Sequence, residues 1–136
     1  MQTATVKWVD GERFLATLPS GHAIAVDSNR EHNSAPGPME VMLAALGSCT
    51  ATDIVLILAK KRQKLVSLEI VIQGERAKEP PTVWAKLEVL YRMKGKIDDK
   101  AARDAVQLSL DKYCGAAATL RKTAEISFCY EILPLT

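Results

Sequence analysis

The feature of this sequence that most constrains its fold is a run of nineteen nearly all apolar residues, 41–59. Its length is close to that needed to span a bilayer as a helix. Asp53 lies in its interior beside glycine, serine and threonine residues, and an ionised aspartate at membrane depth costs a few kcal/mol. We therefore predict a buried helix of a soluble protein, with Pro38 at its first position and an end near Gln63.

A helix that is hydrophobic around most of its circumference must be covered on nearly every side. A single chain of 136 residues has few other elements with which to cover such a helix on all sides. The length itself predicts a single domain over residues 1–136. The helix in turn predicts an intertwined homodimer, in which the second copy covers what the first leaves exposed.

Charge and composition exclude several classes of protein. Hydrophobic residues make up 48% and charged residues 25%, which is ordinary for a globular chain. The net charge of +2 gives no general attraction to nucleic acid. A short basic cluster at residues 60–64 is interpreted as the solvated end of the long helix, where cations interact favourably with the helix dipole.

The remaining elements follow from periodicity and turn signals. Residues 4–26 read as short strands in a meander, with turns at Asp10-Gly11 and Ser20-Gly21. Residues 66–73 and 83–91 alternate apolar and polar side chains, which predicts a long antiparallel pair of strands. The fold class predicted is therefore α+β with antiparallel sheets.

A second helix is predicted after Asp98, which suits a capping position. Gly115 should break or bend that helix just after Cys114, before a short helix over 116–122 and a last strand. The spacing of the second helix places six residues on one apolar face: Ala102, Ala105, Val106, Ser109, Leu110 and Tyr113.

The chain has three cysteines, far apart in sequence and with no secretory leader before them, which favours the cytoplasm over a secreted disulfide protein. Strand parity places Cys129 on a polar face, away from the others. The 65 residues between Cys49 and Cys114 exclude a local redox motif. Two distant histidines fall short of a zinc signature, so no metal is expected.

Two readings of Cys49 and of Cys114 stay open at this point. A cysteine within an apolar helix is most often a small buried hydrophobe with an inert thiol. The polar residues around Cys49 favour a working site instead, because buried polar groups need partners. Asp53 lies one turn on and opposes a thiolate by like charge, so a reactive Cys49 needs a cation from elsewhere. Cys114 lies at a helix junction whose free backbone donors favour a thiolate.

A family resemblance joins the two cysteines. The segment APGPME at 35–40, the segment LAALGSCT at 43–50 and the pair Tyr113-Cys114 resemble the OsmC/Ohr family of osmotically inducible and organic hydroperoxide resistance proteins, closest to its YhfA-like branch. The resemblance covers most of the chain. It implies an OsmC-like α+β fold, with two long central helices in an intertwined homodimer.

The resemblance also implies an activity. Cys49 would attack an organic hydroperoxide, release an alcohol and become a sulfenic acid, and Cys114 would condense with it to a disulfide. An external dithiol reductant would regenerate the pair, with no bound cofactor. No nucleic acid and no membrane partner is expected.

The activating residues match the family less well. Its hydroperoxide reductases use a glutamate shortly before the first cysteine, where this chain has Met39, and Glu40 lies about 100° further round a helix. They also use an arginine from the N-terminal strands, for which Arg13 is the best candidate and Arg30 the alternative. These departures leave a second hypothesis, a dimer that senses oxidants or binds a hydrophobic small molecule, and a third in which both cysteines are core packing.

Overall fold

The computed structural model of the chain describes residues 1–135. Its packing divides the chain into two compact units, Met1–Met42 and the segment from Leu43 onward. The first unit holds one three-stranded sheet and the start of the long helix, and the second holds the rest of that helix, another three-stranded sheet and two further α-helices. The predicted α+β class is thereby confirmed.

The sheet of the first unit is an antiparallel meander of β1 (Thr5–Asp10), β2 (Arg13–Thr17) and β3 (Ala23–Asp27). The two predicted turns join these strands. Gly11 and Gly21 adopt φ values of +50° and +91° there, a region that costs glycine little and other residues more.

A polar loop between β3 and the first helix is organised around the buried carboxylate of Asp27. Its Oδ2 is bound by His32 Nδ1 at 2.8 Å and by the backbone N–H and hydroxyl of Ser34 at 3.0 and 2.7 Å. Asn29 N donates to Oδ1 at 2.9 Å. These bonds, with His32 contributing most, hold the pKa of Asp27 well below its usual range. The carboxylate thus fixes the loop that leads into the helix.

The long helix, α1, spans Pro38–Lys60 and begins at the predicted residue. Its predicted end near Gln63 is three residues too far. Arg62 adopts φ +59°, and Gln63 N bonds to the carbonyl of Leu58 at 2.9 Å. This pairing is a Schellman cap, which satisfies the last helical carbonyls and reverses the chain.

Burial of α1 is limited to one stripe. Leu46, Thr50, Ile54 and Leu58 are buried, each four residues after the last, and only 22% of the most apolar window of α1 is buried. The single chain thus leaves most of this helix uncovered, as expected for a chain of this length, and its coverage by a second copy stays a prediction. By length and composition α1 would also be able to cross a membrane.

The second sheet has the order β4-β5-β6, with bounds Lys64–Arg76, Trp84–Lys96 and Glu125–Leu133. Strands β4 and β5 form the predicted long antiparallel pair. Strand β6 is parallel to β5, so the prediction of purely antiparallel sheets is wrong here. A parallel neighbour requires a crossover connection, and the segment from 97 to 124 supplies one with its helices.

That crossover contains α2 (Asp99–Leu108), a π-helical turn (Ser109–Tyr113) and α3 (Gly115–Leu120). Five residues of the predicted apolar face are buried as expected, but Tyr113 is 55% exposed. The i→i+5 hydrogen bonding of a π turn widens the coil and rotates the residues that follow. Asp98 takes the capping position without a side-chain cap bond.

Candidate functional site

Cys49 lies near the middle of α1, on the flank of its buried stripe. Its side chain is half-buried, whereas Thr50 next to it is fully buried. A thiol in this position is held by a regular helix and still open to a small molecule. Access of this kind is what a nucleophilic cysteine needs.

Cys114 lies where the π turn meets α3, and it is 2% exposed. Its N–H donates to the carbonyl of Ser109 at 2.7 Å, which closes the π turn. Its Sγ accepts from the N–H of Ala117 at 3.4 Å, so that Cys114 caps α3 with its own side chain. Single π turns of this kind occur often at functional sites.

The tertiary structure brings the two thiols together. Burial raises the pKa of Cys114 to about 11; the neighbouring Cys49 thiol and the charge of Asp53 raise it further, and the hydrogen bond from the N–H of Ala117 opposes them. The expectation of a thiolate at Cys114 is therefore wrong, because desolvation outweighs the donor at the helix terminus. Cys114 is a neutral thiol at physiological pH, and Cys49 is the more accessible partner.

A series of buried, hydrogen-bonded hydroxyl groups lies beside the thiol pair. Thr50 Oγ1 lies 2.8 Å from the Tyr91 hydroxyl and 2.7 Å from Ser109 Oγ. Ser109 in turn donates to Asp53 Oδ2 at 2.8 Å. Burial also raises the pKa of Tyr91 to about 12. The sequence indicated that the polar residues around Cys49 need hydrogen-bond partners. It did not identify Ser109 and Tyr91 as those partners, because they lie on other elements of the fold.

Arg13, the first candidate for the activating cation, lies on β2 in the first unit. Its guanidinium forms two hydrogen bonds with the carboxylate of Asp10, at 2.6 and 2.5 Å. That carboxylate raises the pKa of Arg13 by hydrogen bonding and by charge. Its role toward Cys49 stays a prediction.

Arg30, the second candidate, is bound within the loop before α1. It donates to the carbonyl groups of Asp27 and Ala35. Glu40 lies 3.9 Å from its guanidinium as an ion pair. An arginine and a glutamate thus meet in the first unit, although Met39 occupies the position where the family resemblance places the acid.

The remaining candidate thiol is Cys129, and the candidate metal ligands are the two histidines. Cys129 is exposed on β6, with Leu90 of β5 as its Cα partner. His32 is engaged by Asp27, and His22 lies 3.0 Å from Ser20 Oγ. Within residues 1–135, no three His, Cys, Asp or Glu side chains lie close enough together to hold a metal ion.

An apolar groove of about 470 Å³ lies beside Asp53, between the end of α1 and the π turn. Its charged lining residues are Asp53 and the two lysines at the end of α1. It is lined by Asp53, Leu56, Ile57, Lys60, Lys61, Leu108 and Tyr113. A groove that is lined by both apolar and charged residues suits an amphipathic small molecule.

Comparison with known proteins gives the same family as the sequence motifs. Residues 31–128 match the OsmC-like protein family. The chain is also 40% identical over 131 residues to Protein YhfA of Escherichia coli strain K12, covering 96% of this chain and 97% of that one. The chain belongs to the OsmC-like protein family. The predicted family resemblance is thereby confirmed.

Solved structures show that this OsmC-like chain has the fold of its family. A hypothetical protein from Aquifex aeolicus is 27% identical, with a TM-score of 0.90 over 100% of this chain and 98% of that one. An organic hydroperoxide resistance protein from Elizabethkingia anophelis is 13% identical, with a TM-score of 0.72 over 98% and 96% of the two chains. The second likeness concerns the fold alone.

Proposed function

We propose that the protein is a thiol-dependent peroxidase that reduces organic hydroperoxides to alcohols. The observation that carries the proposal is the pairing of a half-buried Cys49 with a buried, neutral Cys114 in one site. Family membership supports it, since a protein of this fold is named for organic hydroperoxide resistance. The cytoplasm, where thiols are kept reduced, is the compartment we propose.

The two cysteines would divide the chemistry between them. The Cys49 thiolate attacks one peroxide oxygen, the O–O bond breaks, and the alcohol leaves after taking a proton. The sulfenic acid then condenses with the Cys114 thiol, which forms the S–S bond and releases water. A dithiol reductant restores both thiols and is itself oxidised to a disulfide. No metal or bound organic cofactor takes part in this cycle.

The test is consumption of an alkyl hydroperoxide by the native protein with a dithiol reductant. We expect catalytic turnover and, when the reductant is omitted, one equivalent of alcohol and a Cys49–Cys114 disulfide identified by peptide mapping. A native protein that consumes no hydroperoxide under these conditions contradicts the proposal.

The second step of the cycle should accelerate with pH. Cys114 attacks as a thiolate, and a thiol with a pKa of about 11 is almost wholly protonated near neutrality. We expect the rate of disulfide formation to rise about tenfold per pH unit from about pH 7 to about pH 9. The rise should level off as the pH approaches the pKa of Cys114.

Rapid mixing with one equivalent of hydroperoxide, followed by trapping of the sulfenic acid at timed intervals, measures that step. A rate independent of pH over this range would show that ionisation of Cys114 does not limit it.

A homodimer is the second part of the proposal. Val55 and Leu56 of α1 are 48% and 63% exposed, and Val66 of β4 is 61% exposed. Small residues of α1 form a groove with the apolar face of β4, and another helix would fit against it. The groove is lined by Leu43, Ala44, Gly47, Ser48, Ala51, Leu68, Ile70 and Ile72. Apolar surface of this extent marks an interaction site.

A Val55→Lys variant should dissociate the dimer, because it places a charge in an apolar interface. Sedimentation velocity should give a dimer for the native chain and a monomer for the variant at the same concentration. Gln107→Lys, which adds the same charge at an exposed position of α2, is the control and should stay dimeric. A native chain that sediments as a monomer contradicts this part of the proposal.

The high pKa of Cys114 also favours a second candidate function, oxidant sensing. A slowly resolving thiol gives long-lived oxidised states rather than fast turnover. The groove beside Asp53 would then serve a bound small molecule. Formation of the disulfide with mild peroxide, but without sustained turnover in the presence of dithiol, would favour this function over the peroxidase.

A further inference from the structure

Ser109 forms hydrogen bonds both with the helix that carries Cys49 and with the backbone of Cys114. Its hydroxyl lies 2.7 Å from Thr50 Oγ1 and 2.8 Å from Asp53 Oδ2, both on α1. Its carbonyl oxygen accepts the N–H of Cys114 at 2.7 Å. Thr50 directly follows Cys49, and Asp53 lies one helical turn beyond it. A single residue therefore joins the helix of one cysteine to the backbone of the other.

The hydrogen bonds of this cluster run in one direction only. The carboxylate of Asp53 can only accept, so Ser109 donates its one hydroxyl proton to it. Ser109 must then accept from Thr50, and Thr50 must accept from the hydroxyl of Tyr91. Tyr91 is the first donor of this series, because its hydroxyl is protonated at neutral pH and can donate to Thr50. The series fixes every hydroxyl rotor between Tyr91 and Asp53.

Burial makes these bonds expensive to break. Thr50, Tyr91 and Ser109 are all fully buried, and no buried side-chain nitrogen or oxygen of residues 1–135 lacks a partner. Removal of the Ser109 hydroxyl would leave the buried Thr50 hydroxyl without its acceptor and would take a donor from the half-buried carboxylate of Asp53. An unpaired buried donor costs more than the net value of the bond itself. The cluster thus holds the π turn in one position against α1.

We propose that Ser109 is a positioning residue for the thiol pair, which holds Cys114 against Cys49 through its bonds to α1 and to the Cys114 backbone. The proposal deepens the proposed function and rests on its pairing of Cys49 with Cys114. Ser109 itself exchanges no electrons. It raises the effective concentration of one thiol at the other, as preorganisation does in binding.

The exchange equilibrium between the protein and dithiothreitol measures that effective concentration. The S–S bond of oxidised dithiothreitol breaks, the Cys49–Cys114 bond forms, and two hydrogens pass from the protein to the reagent. In Ser109→Ala we expect the equilibrium constant for the protein disulfide to fall about tenfold, which is about 30 mV for this two-electron couple. Alkylation of the remaining thiols and mass spectrometry give the constant without any peroxide.

Two further variants keep the test decisive if Ser109→Ala does not fold. Thr50→Val removes a hydroxyl from the α1 side without a change of shape, and Thr50→Ser retains that hydroxyl. We expect the first to lower the constant about threefold and the second to keep it near the native value, as expected of a lost hydrogen bond.

Matched controls separate positioning from general stability. Thr52→Ala removes another hydroxyl close to Cys49 on α1, which bonds only to the carbonyl of Ser48 in the same helix. Ile54→Val trims a fully buried α1 side chain outside the cluster and lowers stability. Both should leave the exchange constant unchanged.

An exchange equilibrium constant that is unchanged or increased in both Ser109→Ala and Thr50→Val would overturn the proposal. The proposal would also be overturned if oxidised dithiothreitol formed no Cys49–Cys114 disulfide in the native protein. If the native protein consumes no hydroperoxide but the variants show the expected changes in the exchange equilibrium constant, the proposed peroxidase function is contradicted and the positioning role of Ser109 is supported.

Discussion

A Cys49→Ser variant should consume alkyl hydroperoxide at least about a thousandfold more slowly than the native protein, because loss of a covalent nucleophile removes most of an enzyme's catalysis. A serine hydroxyl is nearly isosteric with the thiol but does not ionise near neutral pH. The half-buried position on α1 should accept the smaller oxygen without loss of fold. The rate is measured as hydroperoxide loss with a dithiol reductant in excess.

Two other cysteine variants serve as controls. Cys114→Ser should still reduce one equivalent of hydroperoxide, but Cys49 should then over-oxidise, because no neighbouring thiol traps the sulfenic acid. Cys129→Ser should behave like the native protein, since that thiol is exposed on β6. Undiminished turnover in Cys49→Ser would remove Cys49 from the mechanism.

A Gly95→Ala variant should lose about 3 kcal/mol or more of its free energy of unfolding. Gly95 lies on β5 at φ +142°, a region that L side chains rarely adopt. A Cβ atom there would lie 2.0 Å from the carbonyl oxygen of Lys64. That atom belongs to the backbone of β4 beside the irregular register between Leu65 and Ser67, so it cannot move aside alone.

Gly115→Ala is the matched control, because a Cβ at Gly115 would have no atom within 4 Å. Gly115 is also the first residue of α3, and its φ lies outside the positive region, so alanine there should leave the free energy of unfolding near the native value or slightly above it. Denaturation of both variants at one protein concentration gives the two free energies, a condition that matters if the native state is a dimer. Equal stability of Gly95→Ala and the native chain would contradict the strain argued at this position.

The sequence was sufficient for every element whose signal is local. Period-two alternation located the β4 and β5 pair, turn dipeptides located the meander, and a proline located the start of α1. The family motifs selected Cys49 and Cys114 from three cysteines. These features depend on side chains close together in the chain, where steric preference and hydrophobic periodicity act directly.

Errors arose where distant segments meet. The direction of β6 depends on how the crossover returns the chain, which no pattern within β6 specifies. The π turn was missed because a 3.6-residue period was continued through Tyr113. The thiolate expected at Cys114 is disfavoured by burial of that thiol, and the extent of burial depends on the packing of the whole second unit.

The long apolar helix illustrates the same division. Its existence and its start were determined by sequence alone, because a run of nineteen nearly all apolar residues that follows a proline is compatible with few other structures. Which of its residues are buried, and that Cys49 lies on the flank of the buried stripe, was decided by tertiary packing. Tertiary packing also decided the series of hydrogen bonds from the Tyr91 hydroxyl to the Asp53 carboxylate. These bonds join α1, β5 and the π turn, and they need a geometry that only the folded protein supplies.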